Sequence, residues 1–141
     1  GASYIILDHI SIVVSGLEGG DERRLIDNTM TRLRALVEEL NCGLLLISHL
    51  KRPSGDRGHE DGAQTSLAQL RGSAAIGQLS DMVIGLERNQ QDDDNPHISH
   101  VRVLKNRWSG ETGLCCSLEY LKDTGRMVEV MFEEDEADPE F

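Results

Sequence analysis

The chain has 141 residues and a formal net charge of −11, from 14 basic and 25 acidic side chains. This length fits one domain, and the hydrophobic share of 38% excludes a wholly disordered chain. No apolar run approaches the roughly 18 residues of a membrane-spanning helix, and no charged segment precedes the first apolar run, so we expect neither a membrane span nor secretion. The three cysteines lack CxxC spacing, which argues against a disulfide framework or a zinc site and favours a reducing cytosol.

The first half of the chain predicts a parallel β-α-β unit. A short apolar run from Tyr4 to Leu7 indicates a buried strand, and a glycine-rich link follows it. Apolar residues then recur at helical spacing from Glu22 to Leu40, with Asp21 placed to cap the helix. A second apolar run from Leu44 to Ile47 predicts the next strand.

The middle of the chain alternates polar and apolar segments. Lys51 to Gln64 contains proline and several glycines and predicts a long mobile loop. Ser73 is placed to cap a short helix that runs to Leu79, and Met82 to Leu86 predicts a third strand. Gln90 to Pro96 predicts a polar, acidic turn.

The last part predicts a meander of three antiparallel strands, Ile98–Lys105, Leu114–Tyr120 and Met127–Phe132. The turns between them are expected at Ser109-Gly110 and at Asp123-Thr124-Gly125. The fold class is therefore α/β, with a parallel sheet continued by antiparallel strands.

Polar side chains follow both strands of the parallel unit, Asp8-His9 after the first and Ser48-His49 after the second. In parallel sheets, ligands bind beyond the carboxyl ends of the strands. A carboxylate there can hold Mg²⁺ or its water shell beside nucleotide phosphates, and a polar residue on the neighbouring strand can contact the terminal phosphate. The alternative is that Asp8 only starts a turn and that His49 is an ordinary edge residue.

Five motifs in a fixed order carry a resemblance to a known family. They are Tyr4-Ile5-Ile6-Leu7-Asp8-His9-Ile10, Leu46-Ile47-Ser48-His49-Leu50-Lys51, Leu70-Arg71-Gly72-Ser73-Ala74-Ala75-Ile76 with Gln78-Leu79-Ser80-Asp81, Leu86-Glu87-Arg88-Asn89-Gln90, and Leu104-Lys105-Asn106-Arg107-Trp108-Ser109-Gly110. Together they resemble the C-terminal half of a RecA-type hexameric replicative helicase of the DnaB-like superfamily, above all the primase-helicases of short-tailed phages of the T-seven type. The resemblance runs from Tyr4 to about Val130.

The resemblance implies roles for residues at the strand ends and in the loop. Asp8 would be the Walker B aspartate that acts on Mg²⁺, and His49 the sensor of the γ-phosphate. Lys51, Arg52 and Arg57 would lie on the loop that grips single-stranded DNA, where positive charge tracks phosphates. The alternative for these three is a solvated surface loop.

The resemblance also implies roles for three further arginines. Arg107, two residues beyond Lys105 and so expected on the same strand face, would be the arginine finger that reaches a neighbouring subunit's nucleotide. Arg88 would bind nucleotide, and Arg71 would couple the nucleotide to the subunit interface. The alternatives for Arg88 and Arg71 are salt bridges to Glu87 or Asp81.

The sequence contains no Gly-rich loop that ends in Gly-Lys-Ser/Thr, because each of its lysines follows a leucine. We therefore expect a fragment that lacks the Walker A half and leaves apolar surface and sheet edges bare. ATP or dTTP with Mg²⁺ would be the cofactor of the complete domain, and neither is expected to bind tightly to this chain. The isolated chain is expected to be inactive.

The C-terminus is an acidic tail, in which six of the residues 133–141 are acidic. Such a composition predicts disorder, so we divide the chain into a helicase portion, 1–132, and a tail, 133–141. By the resemblance, Phe141 would dock the tail on a replicative DNA polymerase, and the alternative is a solubilising end.

The resemblance implies a fragment of an ATP-dependent helicase that translocates 5′ to 3′ on single-stranded DNA, unwinds duplex and forms a hexameric ring in the cytoplasm of a bacterial host. Two other functions stay open. One is a non-catalytic nucleic-acid-binding or assembly module. The other is a metal-dependent phosphoesterase that uses Asp8, His9 and His49.

Overall fold

The structure is a computed structural model, and it describes residues 1–17, 21–53 and 57–131. Its elements are, in chain order, β1 Tyr4–Leu7, α1 Ile10–Ser15, α2 Glu22–Leu40, β2 Gly43–Leu46, a short 3-10 helix Leu67–Gln69, α3 Ala75–Leu79, β3 Met82–Glu87, β4 Ile98–Asn106, β5 Gly113–Leu121 and β6 Arg126–Val130. None of the helices in these ranges is both long and apolar enough to cross a membrane.

The predicted parallel β-α-β unit is confirmed. Strands β1 and β2 pair in parallel, in a register that sets Tyr4 opposite Gly43. Helix α2 connects them and begins where predicted, because the Asp21 side chain accepts a hydrogen bond from the Arg23 backbone N–H at 3.3 Å. The helix ends at Asn41, whose φ of 47° is the left-handed conformation common at helix C-termini.

Helix α1 is absent from the sequence prediction, which expects only a glycine-rich link after β1. Its sequence is rich in β-branched residues, and these favour strands when packing does not decide. Packing does decide here, because Ile10 and Val14, one helical turn apart, are both buried. They form the core with Ile26 and Met30 of α2 and Ile76 of α3.

The stretch predicted as a mobile loop, 51–64, has fixed backbone contacts where the structure describes it. At its base, Leu50 forms an antiparallel bridge with Leu70. Further along, the Gln90 N–H donates to the Glu60 carbonyl at 2.8 Å. The prediction of a loop is confirmed for the described residues, which lie in no helix or strand, and its mobility stays a prediction. The contacts themselves leave no local signal, because their partners lie far away in the sequence.

The second half forms a four-stranded antiparallel sheet in the order β3-β4-β5-β6. The predicted meander is confirmed, with strand ends that shift by one or two residues where the structure describes them. Glycines stand where the turns need them, since Gly110 has a φ of 75° and Gly125 a φ of 66°. Phe132, the expected end of the last strand, lies outside the described residues.

The parallel and antiparallel strands form two hydrogen-bonded sheets, and β3 pairs with β4 rather than with β2. The α/β fold class is confirmed, and the two sheets are joined through α3. This helix packs on α2, and the carbonyls of its last turn, Gly77 and Gln78, accept hydrogen bonds from the Lys105 ammonium on β4 at 2.7 and 3.1 Å.

Apolar faces of both sheets are exposed in the part of the chain that the structure describes. On β1 and β2 these are Tyr4 at 73%, Ile6 at 70% and Leu45 at 60% exposure. On β3, Ile84 is 52% and Leu86 69% exposed. The expectation of bare apolar surface is confirmed.

Gly85 of β3 lies against Thr65, and a Cβ at Gly85 would stand 2.1 Å from the Thr65 hydroxyl oxygen. We expect Gly85→Ala to lower the free energy of unfolding by about 1–3 kcal/mol, because Thr65 has to shift. Urea denaturation followed by circular dichroism measures this. Gly16→Ala is the control, since its nearest atom is 4.0 Å away. Equal stability of the two variants would contradict the close contact.

Candidate nucleotide-binding site

The polar residues that follow β1 and β2 lie at the same edge of the parallel sheet, as predicted. The backbone pairing continues beyond the strands, since the Ile47 N–H donates to the Leu7 carbonyl at 2.9 Å and the Ile10 N–H donates to the Ile47 carbonyl at 3.1 Å. Asp8 therefore stands beside the segment that leads to His49. Both side chains are exposed at this edge.

His9 joins the two strand ends through its ring. The rings of His9 and His49 are arranged edge to face, with centroids 4.2 Å apart and an interplanar angle of 89°. The Nδ1 atom of His9 is buried and has no hydrogen-bond partner in the described chain. His9 thus supplies a ring contact to His49. Sequence reasoning named His9 only as a metal ligand, because ring packing between two loops leaves no sequence signal.

Asp8 could hold Mg²⁺ together with nucleotide phosphates. Its carboxylate makes no hydrogen bond or ion pair within residues 1–17, 21–53 and 57–131, so both oxygens are available to a cation or its water shell. In the same residues, no group of three or more His, Cys, Asp and Glu side chains could hold a metal ion. The donor set fits Mg²⁺ that is held mainly by nucleotide phosphates, and it gives no support to the phosphoesterase alternative with ligands Asp8, His9 and His49.

The base of the loop at residues 51–64 is joined by backbone hydrogen bonds to the segment that carries His49. The His49 carbonyl accepts a hydrogen bond from the Arg71 N–H at 3.1 Å, and the Lys51 N–H donates to the Gln69 carbonyl at 2.7 Å. The His59 Nε2 lies 2.9 Å from the Lys51 carbonyl and donates to it. The structure thus brings Arg71 and Lys51, two of the predicted site residues, to the edge where His49 lies.

The predicted DNA-contacting side chains, Lys51, Arg52 and Arg57, are exposed. None of them forms a side-chain hydrogen bond or ion pair with another described residue. They are therefore free to contact phosphate oxygens. Residues 54–56 of the same loop lie outside the described residues.

Arg107 lies after β4, which ends at Asn106, so the expectation that it shares a strand face with Lys105 is wrong. Its Nη1 donates to Asp81 Oδ1 at 2.8 Å, and its backbone N–H donates to the Asp81 carbonyl at 2.9 Å. Arg34 of α2 binds the other oxygen of the same carboxylate at 2.5 Å. Asp81 therefore joins α2 to the turn that carries Arg107, a role that the sequence analysis missed.

The salt bridges considered for Arg88 and Arg71 are not formed. The Arg88 Nε donates to the Pro96 carbonyl at 2.7 Å, and the Arg71 side chain has no polar partner among the described residues. The carboxylates named as their partners are bound by other arginines: Glu87 by Arg102, and Asp81 by Arg107 and Arg34. For Glu87 and Arg88, adjacency in sequence was misleading because neighbouring residues of an extended chain point to opposite sides.

Glu87, at the end of β3, is a buried carboxylate that accepts hydrogen bonds from three groups: a backbone N–H, a hydroxyl and a guanidinium. Its Oε1 accepts hydrogen bonds from the Thr65 backbone N–H and hydroxyl, each at 2.7 Å, and from the Arg102 Nε at 2.8 Å. The Arg102 Nη2 donates to Oε2 at 3.2 Å. Burial raises the pKa of Glu87, but the hydrogen bonds from Arg102 and Thr65 together lower this pKa more, so it lies below the ordinary value. No local pattern in the sequence indicates that residues so far apart would meet.

The acidic tail with Phe141 lies outside the described residues, so its disorder and its docking role stay predictions.

The strand-end carboxylate, the neighbouring histidine and the mixed α/β fold are those expected of a RecA-like NTPase domain. The chain belongs to the family described as the DnaB-like helicase C terminal domain, which matches residues 1–129. The family resemblance seen in the sequence is thereby confirmed.

Among proteins, the chain is similar to the "DNA helicase/primase" of Enterobacteria phage T3, with 48% identity over 125 residues. The match covers 89% of this chain and 22% of that relative, so the chain spans about a fifth of its length.

Two solved structures share the fold. One is described as an ATPase domain, with a TM-score of 0.73 at 22% identity over 91% of this chain and 44% of that chain. The other is a DnaB-like replicative helicase described with its interactions with primase, with a TM-score of 0.74 at 22% identity over 91% of this chain and 31% of that one. At this identity they support the fold alone.

The pKa of Glu87 has a consequence for stability. A carboxylate whose pKa is lowered by folding stabilises the native state above the unfolded pKa, and this contribution is lost as the pH falls through the folded pKa. We expect Glu87→Gln to lower the free energy of unfolding at pH 7 by about 1–3 kcal/mol. We also expect the variant to lose less stability than the original chain between about pH 5 and pH 3.

Urea denaturation at a series of pH values checks this expectation. The control is Glu39→Gln, which removes the same charge from an exposed position on α2 where no described residue binds it. Parallel pH profiles for Glu87→Gln and the original chain would contradict the assigned role of the carboxylate.

Proposed function

We propose that this chain is the part of an NTP-driven replicative DNA helicase that carries the metal-binding carboxylate, the phosphate sensor, the DNA-gripping loop and the arginine finger. The observation that carries the proposal is the placement of Asp8 and His49 side by side at the carboxyl edge of β1 and β2, in a chain of the DnaB-like helicase family. By the family resemblance, the nucleotide would be ATP or dTTP.

Asp8 would hold Mg²⁺, directly or through its water shell. The ion, when bound with the nucleotide, neutralises charge on the phosphates. His49 would contact the terminal phosphate from the next strand, with its ring held by His9 at 4.2 Å. Since the His49 carbonyl is bonded to the Arg71 N–H, a shift of His49 on loss of that phosphate would move the base of the loop.

The remaining nucleotide contacts would come from a longer protein. The chain spans 22% of the phage T3 relative, and its sequence has no Gly-Lys-Ser/Thr phosphate loop. A segment that supplies this loop would also cover the exposed apolar faces of β1, β2 and β3. We therefore propose that the isolated chain binds nucleotide weakly and does not hydrolyse it.

Arg107 would act on a neighbouring subunit. No hydrogen bond or ion pair joins it to Asp8 or His49 in the described chain, which is consistent with a finger that serves another nucleotide site. A planar guanidinium placed there stabilises the charge that develops on the transferred phosphoryl group. Such a finger requires a ring of subunits, and we propose a hexamer. Arg88 would contribute to nucleotide binding and Arg71 to coupling between subunits.

The loop side chains Lys51, Arg52 and Arg57 would contact the phosphates of single-stranded DNA in the centre of the ring. They are exposed and have no carboxylate partners among the described residues, as sequence-independent gripping requires. Sequential NTP hydrolysis around the ring would move the loops along the strand, in the 5′ to 3′ direction implied by the family resemblance, in the cytoplasm of a bacterial host.

A chimera tests this function. In the chimera, this chain replaces the 125-residue matching segment of the phage T3 helicase/primase. We expect NTP hydrolysis stimulated by single-stranded DNA. Asp8→Asn and Arg107→Ala should each reduce it at least about 100-fold, because one removes a metal ligand and the other the finger. Asp123→Asn, which removes an exposed carboxylate in the β5–β6 turn, is the control and should retain hydrolysis.

Mixing the two inactive variants tests the placement of Arg107 in a neighbour's site. At some interfaces of a mixed ring, an intact Arg107 meets an intact Asp8, and hydrolysis should partly recover. If no mixing ratio restores hydrolysis, Arg107 does not act between subunits.

For the acidic tail we propose a contact with the replicative DNA polymerase encoded in the same genome. Its acidic residues would accelerate encounter with a basic patch, and the aromatic Phe141 would fill an apolar pocket beside it. The contact should be weak and should weaken further with salt, because exposed charges are screened.

In the same chimera, we expect two variants to lose affinity for this polymerase without a change in ring assembly. One lacks residues 133–141, and the other carries Phe141→Ala alone. Surface plasmon resonance at two salt concentrations measures the affinity, and size-exclusion chromatography measures assembly. If both variants bind as the original chain does, the tail has a solubilising role only.

A further inference from the structure

We propose that Glu87 is a positioning residue through which DNA held by the loop acts on the nucleotide site. The inference rests on the proposed function, and it adds the route by which the two sites communicate. Neither Glu87 nor its partners Thr65 and Arg102 is among the side chains that would touch DNA or nucleotide.

The first step is the anchoring of the chain as it returns from the loop. Thr65 is 3% exposed, and both its backbone N–H and its hydroxyl bind one oxygen of Glu87 at 2.7 Å. Glu87, itself 7% exposed, is held from the other side by the forked guanidinium of Arg102 on β4. The Cα of Gly85 leaves the space that Thr65 occupies. The returning segment is thus anchored by hydrogen bonds to a buried carboxylate.

The second step is the continuation of this contact past Glu87. Asp61 forms an antiparallel bridge with Asn89, and the Gln90 N–H donates to the Glu60 carbonyl at 2.8 Å. The segment 60–65 therefore runs along the end of β3 and the residues that follow it. The chain therefore passes along β3 on its way from Arg57 to α3.

The third step concerns Arg88, the proposed nucleotide-binding residue. It lies between Glu87, which binds Thr65, and Asn89, which pairs with Asp61. A displacement of the loop by DNA would therefore shift the backbone on both sides of Arg88. Because buried charged hydrogen bonds are costly to break, the segment and β3 are expected to move together rather than separate.

The test uses the T3 chimera and the ratio of NTP hydrolysis with and without a single-stranded oligothymidylate. Thr65→Val keeps the shape of the side chain and removes the hydroxyl bond to Glu87, whereas Thr65→Ser keeps that bond. We expect Thr65→Val to lower the ratio at least about fivefold and Thr65→Ser to keep it within about twofold. Glu87→Gln should lower the ratio as well, since it weakens the pair with Arg102.

Ser73→Ala is the matched control for the loss of a buried hydroxyl. Ser73 is 6% exposed, and its hydroxyl donates to the Asp27 carboxylate of α2, with no bond to Glu87 or to residues 57–65. We expect it to keep the ratio within about twofold, even if its stability falls as much as that of Thr65→Val. Urea denaturation of the corresponding 141-residue chains provides the stability comparison.

The outcomes separate the inference from the proposed function. An unchanged ratio in Thr65→Val, or equal losses in Thr65→Val and Thr65→Ser, would overturn the role of Glu87 while the function stands. Equal losses in Thr65→Val and Ser73→Ala would also overturn it, because stability alone would then explain the effect. An original chimera without DNA-stimulated hydrolysis would overturn the proposed function, and this inference with it.

Discussion

The candidate site depends on the parallel backbone pairing of β1 and β2. Its hydrogen bonds continue beyond the strand ends through Ile47. The Ile47 carbonyl accepts a bond from the Ile10 N–H, and the Ile47 N–H donates to the Leu7 carbonyl. This continuation sets Asp8 beside the segment of His49, and the His49 carbonyl in turn holds Arg71. The proposed metal ligand, phosphate sensor and loop base are therefore positioned by main-chain geometry, which side-chain substitutions elsewhere do not easily disturb.

Much of the fold could be predicted because its strongest signals are local. The periodicity of α2 and the apolar runs of β1 and β2 are sufficient to indicate the parallel unit, and glycines mark the turns of the antiparallel sheet. Helix α1 could not be predicted, because its β-branched residues favour a strand and only the burial of Ile10 and Val14 decides for a helix. The pairing of β3 with β4, and the fixed contacts of residues 57–65, depend on partners distant in sequence.

The residues of the candidate site could also be predicted only in part. Asp8 and His49 could be expected together, because both close neighbouring parallel strands. The partners of the arginines could not be predicted from proximity in sequence: Glu87 precedes Arg88 yet binds Arg102 on the adjacent strand β4. The ring contact of His9 with His49, and the reach of Thr65 to Glu87, are products of tertiary packing. Sequence motifs identified the candidate functional residues, whereas the residues that contact and position them were found only in the structure.

The basic side chains fall into two groups with different electrostatic effects. Arg34 and Arg102 are paired with carboxylates, so each adds little positive potential beyond its pair. The exposed basic residues of the loop and its base have no carboxylate partners among the described residues. These are Lys51, Arg52, Arg57 and Arg71. A chain with a net charge of −11 can therefore have a locally positive surface, as the proposed contact with DNA requires. Arg107 lies between the two groups, because its pair with Asp81 is 49% and 28% exposed at the two side chains. Such a pair contributes at most about 1 kcal/mol. Release of Arg107 from Asp81 toward a neighbour's phosphates would thus cost little compared with the transition-state stabilisation of a finger.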